Sequence, residues 1–189
     1  MGIYRELFRV PRVPNITAAQ LFARLPLGML SLAILVHVEH RTGSYATAGV
    51  VVACLTVGEA IAMPLTSRMA GRGDRTTATL AICAAVNGAS MLGLALVTFS
   101  GPPLMALGLL VGASVPPLMP VVRALYPQML PRDGVRALFA LDTTAQEMIW
   151  VIGPVAAMAL STLVSTAMPL IASAAITVVG TAWFLSLIH

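Results

Sequence analysis

The chain has 189 residues, of which 58% are hydrophobic and 10% are charged, and its mean hydropathy is +0.92. Soluble domains carry about 25% charged residues, so this composition excludes an ordinary soluble domain and indicates a membrane protein. The net charge of +4 forms no basic stripe with interleaved aromatic residues, so a nucleic-acid partner is not expected.

Six apolar stretches are long enough to cross a bilayer, for which a helix needs about 20 residues. The predicted spans are residues 16–38, 45–65, 77–99, 102–122, 137–164 and 169–188. Helices are expected because they satisfy every backbone polar group internally in lipid. The predicted fold class is an all-α integral membrane protein, a single six-helix domain over residues 1–189 whose longest connection is 123–136.

The first stretch follows several arginines, as the apolar part of a secretory signal peptide would. It contains Arg24 and Pro26, however, and no small-residue cleavage site closes it. A retained first membrane helix is therefore the better interpretation, and Arg24 becomes a charge inside the membrane.

The second stretch carries Glu59 beside Gly58, with no basic residue within a helical turn. Because ionisable groups in spanning helices are costly, they mark functional sites by default. Glu59 is the preferred candidate for carrying a proton.

The connection after the second stretch reads SRMAGRGDRTT, residues 67–77. Its Arg72-Gly73-Asp74 tripeptide suggests adhesion, and its glycines suggest a phosphate loop. A Walker loop requires a Lys that this chain lacks. The arginine distribution places the tripeptide on the cytoplasmic side, which excludes an adhesive role. A basic turn between two helices remains.

The third and fourth stretches differ in their small and rigid residues. The third and sixth stretches carry no charged residue, so both are expected to face lipid while the others line an interior. In the fourth, Gly108 and Gly112 have the spacing of close helix packing, expected within the chain rather than in a dimer. Three prolines between Pro116 and Pro120 predict a kink.

The fifth stretch adds Asp142 and Glu147. Counted from the inner helix ends, these two, Arg24 and Glu59 lie about 8 to 15 Å deep, in one layer. Arg24 can reach Asp142 or Glu147, and Glu147 is preferred as the structural partner. Two interpretations stay open: an ion pair that only fixes packing, or a water-reachable cavity whose carboxylates bind a proton or cation.

The arginines are unevenly divided between the two sides of the bundle. With the N-terminus inside, the outer loops carry only Arg41. The inner segments carry Arg5, Arg9, Arg12, Arg68, Arg72, Arg75, Arg123, Arg132 and Arg136. The positive-inside rule therefore predicts a multi-pass protein of the cell inner membrane with both termini cytoplasmic.

No metal site, cofactor or catalytic group is expected. Cys54 and Cys83 lie in apolar runs without paired ligand spacing. An intramembrane enzyme needs a nucleophile and a base, but the chain has no Gly-x-Ser-x-Gly, and His37 lies at the end of a stretch rather than buried within it.

Four passages together resemble the N-terminal half of a major facilitator superfamily transporter. They are GIYRELFRVPRVPNITAAQLFARLPLGML at the start, the loop at residues 67–77, PPLMPVVRALYPQMLP from residue 116, and ALFALDTTAQEMIWVIGP from residue 137. The resemblance covers nearly the whole chain in the expected order.

The family's loop motif, Gly-x-x-x-Asp-Arg-x-Gly-Arg-Arg, is matched only in part. The preferred frame places Ser67, Gly71, Arg72, Asp74 and Arg75 on its Gly, Asp, Arg, Gly and Arg positions, so only the two arginines match. A competing frame sets Asp74 and Arg75 on the Asp-Arg pair. In the family this acidic residue helps to latch one closed state, and its absence in the preferred frame puts normal gating in doubt.

The fifth stretch contains Gly153-Pro154, which resembles the antiporter motif of drug exporters. Ala157 and Met158 stand where that motif has Gly-Gly, so the match is partial.

The resemblance implies one six-helix half of a fold that binds substrate between two halves. It implies a half-unit or truncated form of a secondary transporter of small molecules, and it allows proton-coupled efflux. The accounts of a lone half, in order of preference, are a truncated or decayed product, a split transporter with a second half as partner, and a homodimer. The alternative function is a non-transporting protein that binds another membrane protein.

Overall fold

The computed structural model describes residues 12–96 and 101–188, and these residues form helices without a strand. The helices are α1 (Val13–Thr42), α2 (Tyr45–Ala70), α3 (Thr76–Leu96), α4 (Pro102–Ala113), α5 (Leu118–Met129), α6 (Arg132–Leu163) and α7 (Met168–Ile188). With α4 and α5 counted as one span, this part of the chain contains six helical units long and apolar enough to cross a membrane. The predicted all-α membrane fold is confirmed.

Some predictions fall outside the described residues. Arg5 and Arg9 of the predicted inner face belong to that group, as do the last three residues of the predicted third span. The extension of one domain over all of residues 1–189 stays a prediction.

A tight turn joins α1 to α2. Gly43 closes α1 in the left-handed region at φ 66°, and its N–H donates to the Glu39 carbonyl oxygen over 2.7 Å. Glycine adopts this conformation without steric cost. Ser44 then caps α2, because its hydroxyl accepts a hydrogen bond from the Thr47 N–H over 3.2 Å. The reversal needs only these two residues.

The fourth span is broken rather than kinked. Pro116 and Pro117 have no N–H to donate, so helical hydrogen bonding cannot continue through them. Asn87 of α3 supports the broken end, since its Nδ2 donates to the Val111 carbonyl oxygen over 2.7 Å. The Ser114 hydroxyl donates to the Leu110 carbonyl oxygen over 2.5 Å.

The predicted connection over residues 123–136 is wrong. Helix α5 continues to Met129 and α6 begins at Arg132, so only two residues separate them. The apolar pattern stops near residue 122, but a helix continues past it because polar side chains at a membrane surface are solvated without leaving helical geometry. The start of α6 therefore lies five residues before its predicted start at residue 137.

Helix α1 occupies the centre of the bundle and packs along α7, α6 and α2. Helix α2 packs against α4, and α3 packs against both α7 and α4. Glycines permit the closest approaches. A Cβ added to Gly108 would lie 2.7 Å from the Val51 carbonyl oxygen, and one added to Gly112 would overlap the Leu55 carbonyl. The Gly108–Gly112 pair therefore packs within the chain, as expected.

Burial differs sharply among the spans. In their most apolar windows, α1 and α3 each have 56% of residues buried, whereas α2 has 22% and α6 has 17%. The expectation that the third stretch lies outside against lipid is wrong. Within the described unit, the two spans that carry Glu59 and Glu147 are the most exposed.

Candidate functional site

An ion pair joins α1 to α6 inside the bundle. Nη1 of Arg24 lies 2.8 Å from Oδ1 of Asp142, and the two side chains are 3% and 5% exposed. Arg24 is 11 residues from the start of α1 and Asp142 is 10 residues from the start of α6. Both helices begin on the same side of the bundle, and both charges lie in the first half of their helices.

Two glutamines complete the hydrogen bonding of this pair. Gln20 donates from Nε2 to Asp142 Oδ1 over 2.8 Å, and its Oε1 accepts from Arg24 Nη1 over 2.7 Å. Gln146 Oε1 accepts from Arg24 Nη2. We call Gln20, Arg24, Asp142 and Gln146 the polar network.

Neither glutamine was predicted from the sequence, although a signal was present. Each lies four residues from a charged member of the network, Gln20 before Arg24 and Gln146 after Asp142. Residues four apart share one face of a helix. A neutral amide carries no large burial penalty when it is paired, so a search for charges alone passes over it.

A tyrosine from the broken span lies next to the polar network. Tyr126 of α5 is 1% exposed, and its hydroxyl lies 3.5 Å from Thr17 Oγ1 of α1. Its ring also contacts Phe139 of α6, with ring centroids 5.9 Å apart. Three spans therefore meet around this polar region.

A small cavity lies beside Arg24. Its volume is about 10 Å³, and its lining includes Asn87, Pro116 and Thr177. A cavity of this size holds about one water molecule when polar groups line it. The break in the fourth span thus lies beside a small cavity that Arg24 also lines.

Glu59 does not join the polar network. It is partly buried on α2, and no hydrogen bond or ion pair of its side chain occurs within residues 12–96 and 101–188. Its backbone lies at the close contact of α2 with α4, where a Cβ on Gly112 would come 2.9 Å from the Glu59 nitrogen. Among the described residues, Glu59 is therefore a carboxylate with no polar side-chain partner.

The preference for Glu147 as the partner of Arg24 is wrong. Glu147 is exposed on α6, whereas Asp142 lies on the buried face of that helix with Ile149 and Gly153. Depth along α6 does not separate the two carboxylates, because Gln146, next to Glu147 in the chain, still reaches Arg24. Among the described residues, Glu147 has no ion-pair partner.

The residues of the loop motif form a compact exposed turn. Ser67 lies in the last turn of α2, and its carbonyl oxygen accepts from the Gly71 N–H over 2.9 Å. The Arg75 N–H donates to the Arg72 carbonyl oxygen over 2.7 Å. Arg72, Asp74 and Arg75 are exposed, and none forms an ion pair in the described part of the chain.

The Gly153-Pro154 motif of the fifth span lies at the contact between α1 and α6. A Cβ added to Gly153 would lie 2.6 Å from the Cα of Gly28 and overlap its carbonyl carbon. Pro154 follows inside α6 without ending the helix. Gly153 therefore lets the two backbones touch near the level of the polar network.

One buried histidine was not anticipated. His37 is 3% exposed within α1, and its Nδ1 lies 3.1 Å from Thr166 Oγ1. The helix continues to Thr42, so His37 lies more than a turn inside it rather than at its end. The expectation of no buried histidine is wrong.

A family model described as Major Facilitator Superfamily matches residues 16–188. No match was found among curated proteins or among solved structures. The matched region includes every member of the polar network, Glu59 and the connection between α2 and α3.

Proposed function

The chain belongs to the major facilitator superfamily of membrane transporters, and from this premise we propose that it works as a half-unit of a secondary transporter of small molecules. Members of the family are generally not enzymes. The proposed partner is a second six-helix half, and a second copy of this chain is the other candidate. Both termini are proposed to face the cytoplasm, because the arginines concentrate on that side.

The polar network is the observation that carries the proposal. A buried Arg–Asp pair is expensive to place in a membrane, and its stability gain over apolar packing is small. Here the pair spans two helices and is hydrogen-bonded by glutamines on the same two helices. We propose that it holds α1 and α6 together in one state of the transport cycle and exchanges partners in another.

Glu59 is proposed to carry the coupling proton. It has no competing partner among the described side chains, whereas Asp142 Oδ1 already accepts hydrogen bonds from Arg24 and Gln20. A carboxylate without a cationic partner can take up a proton without breaking an ion pair. Glu59 therefore supports proton-coupled transport, with efflux as the proposed direction.

The exposed faces of α2 and α6 support a position beside a second half. These spans have the smallest buried fractions, and they carry Glu59 and Glu147. A polar side chain facing lipid is costly. A second half packed against these faces, with a water-filled path between the two halves, removes that cost.

Proton-coupled flux in liposomes tests this function. The chain is reconstituted alone and together with a candidate second half, with pyranine inside the vesicles and ethidium as the transported probe. Ethidium movement that collapses an imposed pH gradient is the expected result, and Glu59→Gln removes it. Glu39→Gln, at the end of α1, is the matched control. Absence of probe movement and proton flux under both conditions and at every pH contradicts the proposal.

The comparisons give no support to the alternative of a non-transporting interaction protein.

A further inference from the structure

A cleft lies between the α2–α3 turn, α5 and the end of α7. Its volume is about 420 Å³, within the size range of ligand sites. Gly71, Gly73 and Thr76 line it from the turn, and Ala124 and Gln128 line it from α5. The proposed transport pathway uses none of these groups.

The cleft lies where several spans reach one surface of the bundle. Helix α2 ends at Ala70, α3 begins at Thr76, and α7 ends at Ile188, which also lines the cleft. Spanning helices end near the boundary between water and hydrocarbon, so a cleft between their ends is expected at the level of lipid headgroups.

Its lining is amphipathic. The turn contributes backbone and hydroxyl groups, whereas Val121, Leu125 and Ile188 contribute an apolar wall. A phospholipid has the same division, a charged phosphodiester next to a glycerol that carries acyl chains. A small hydrophilic anion makes no favourable contact with the apolar wall.

The charge around the cleft is positive. Arg72 and Arg75 flank the lining residues of the turn, Arg68 precedes them in α2, and Arg123 adjoins Ala124. Asp74 is the one acidic residue in this set, so four arginines less one carboxylate leave +3. The four arginines are exposed and form no ion pair within the described ranges.

We propose that this cleft binds the headgroup of an anionic phospholipid. The phosphodiester lies against Arg72 and Arg75, and the glycerol and first acyl carbons lie over Leu125 and Ile188. Basic pockets between spanning helices bind acidic headgroups by the same physics. The family's loop motif thereby acquires a lipid ligand in this chain.

Lipid binding by the purified full chain tests the proposal without any transport measurement. The probe is phosphatidylglycerol, added in detergent, with bound lipid counted by native mass spectrometry. The double variant Arg72→Gln/Arg75→Gln is expected to bind phosphatidylglycerol about tenfold more weakly. Arg132→Gln/Arg136→Gln removes the same charge from the start of α6, a helix that contributes no residue to the cleft lining, and is expected to change binding less than about twofold.

A steric variant separates the cleft from its charges. Ala124→Phe keeps every arginine but fills the cleft, and it is expected to lower phosphatidylglycerol binding as the double variant does. If the double variant fails to fold, Arg72→Gln alone takes its place, with a smaller expected loss.

Three results overturn the proposal. Equal losses in the two double variants indicate a general surface charge, and equal binding of phosphatidylcholine removes the selectivity for anionic lipid. Full competition by glycerol 3-phosphate assigns the cleft to a soluble phosphate instead. Failure of ethidium transport bears on none of these outcomes, so the two proposals fail separately.

Discussion

Gly28 of α1 lies directly against Gly153 of α6, with no side chain between the two backbones. The contact is on the same faces as the polar network, four residues beyond Arg24 on one helix and eleven beyond Asp142 on the other. Helices that touch this closely bring short side chains such as Asp within reach of their partners. The glycine contact and the ion pair therefore belong to one helix crossing.

Replacement of Gly153 by Ala is predicted to destabilise the protein. The added methyl would lie 2.6 Å from the Gly28 Cα, and backbone cannot move aside as a side chain can. A cost of about 1–3 kcal/mol is expected. Thermal unfolding in detergent measures it, with Gly49→Ala as control because open space surrounds Gly49. Equal effects of the two substitutions contradict the crossing described above.

Removal of one partner of the ion pair is predicted to cost more than removal of both. Arg24→Gln or Asp142→Asn leaves an uncompensated buried charge, with an expected cost of about 3–5 kcal/mol. The double variant removes both charges and is expected to recover much of that loss. A double-mutant cycle on unfolding free energy measures the coupling, and strictly additive losses would show that the pair is not coupled.

Glu59→Gln is predicted to abolish proton-coupled flux while changing the unfolding free energy by less than about 0.5 kcal/mol. The small stability effect follows because no described side chain bonds to Glu59. Glu147→Gln is the comparison, since Glu147 is also unpaired but more exposed. Loss of folding in Glu59→Gln would assign the residue a structural role.

Asn87→Ala is predicted to destabilise the break in the fourth span. The substitution removes the 2.7 Å hydrogen bond to the Val111 carbonyl oxygen, which costs about 1 kcal/mol. Ser90→Ala is the matched control, because the Ser90 hydroxyl bonds only within its own helix, to the Val86 carbonyl oxygen. Thermal unfolding of the two variants under the same conditions compares them.

Orientation is open to a direct test. In a chain with Cys54 and Cys83 replaced by Ala, a cysteine at Asp74 is predicted to react with an impermeant maleimide only after the cytoplasmic side is opened. A cysteine at Arg41 is predicted to react in intact cells. The expectation follows from the arginine distribution. The reverse pattern would invert the assignment of both termini and of the lipid cleft.

The existence of the spans could be predicted from apolar length, but their ends could not. Helix α1 runs from Val13 to Thr42, well beyond the predicted residues 16–38. Apolar length measures the part of a helix that lies in hydrocarbon, whereas helical hydrogen bonding continues into the interface. A kink was predicted in the fourth span, but the helix breaks there. Pro116 and Pro117 remove two backbone hydrogen-bond donors in succession.

The ion pair could be predicted in outline. Counting depth brought Arg24 close to Asp142 and Glu147, but only the direction of each side chain around α6 selects between them. The polar residue at Gln146 and the small residue at Gly153 mark the buried face in the sequence. A stripe of this kind carries more information than the charge alone.

The burial of the third span could not be inferred from its lack of charge. Lipid and the interior of a helix bundle are both apolar, so a sequence without charges fits either environment. Gly88 is the better indicator. A Cβ there would lie 2.8 Å from Val178 of α7, a distance that reports close helix packing rather than contact with lipid.

The Pro116–Pro117 break divides the fourth span into two helices whose main contacts differ. Helix α4 is fastened to α2 through Gly108 and Gly112, whereas α5 touches α1 through Tyr126. Neither proline has an N–H to donate, so neither contributes a helical hydrogen bond across the break. We expect the span to hinge at this break, with α5 moving together with α1 and α6 while α4 stays packed against α2.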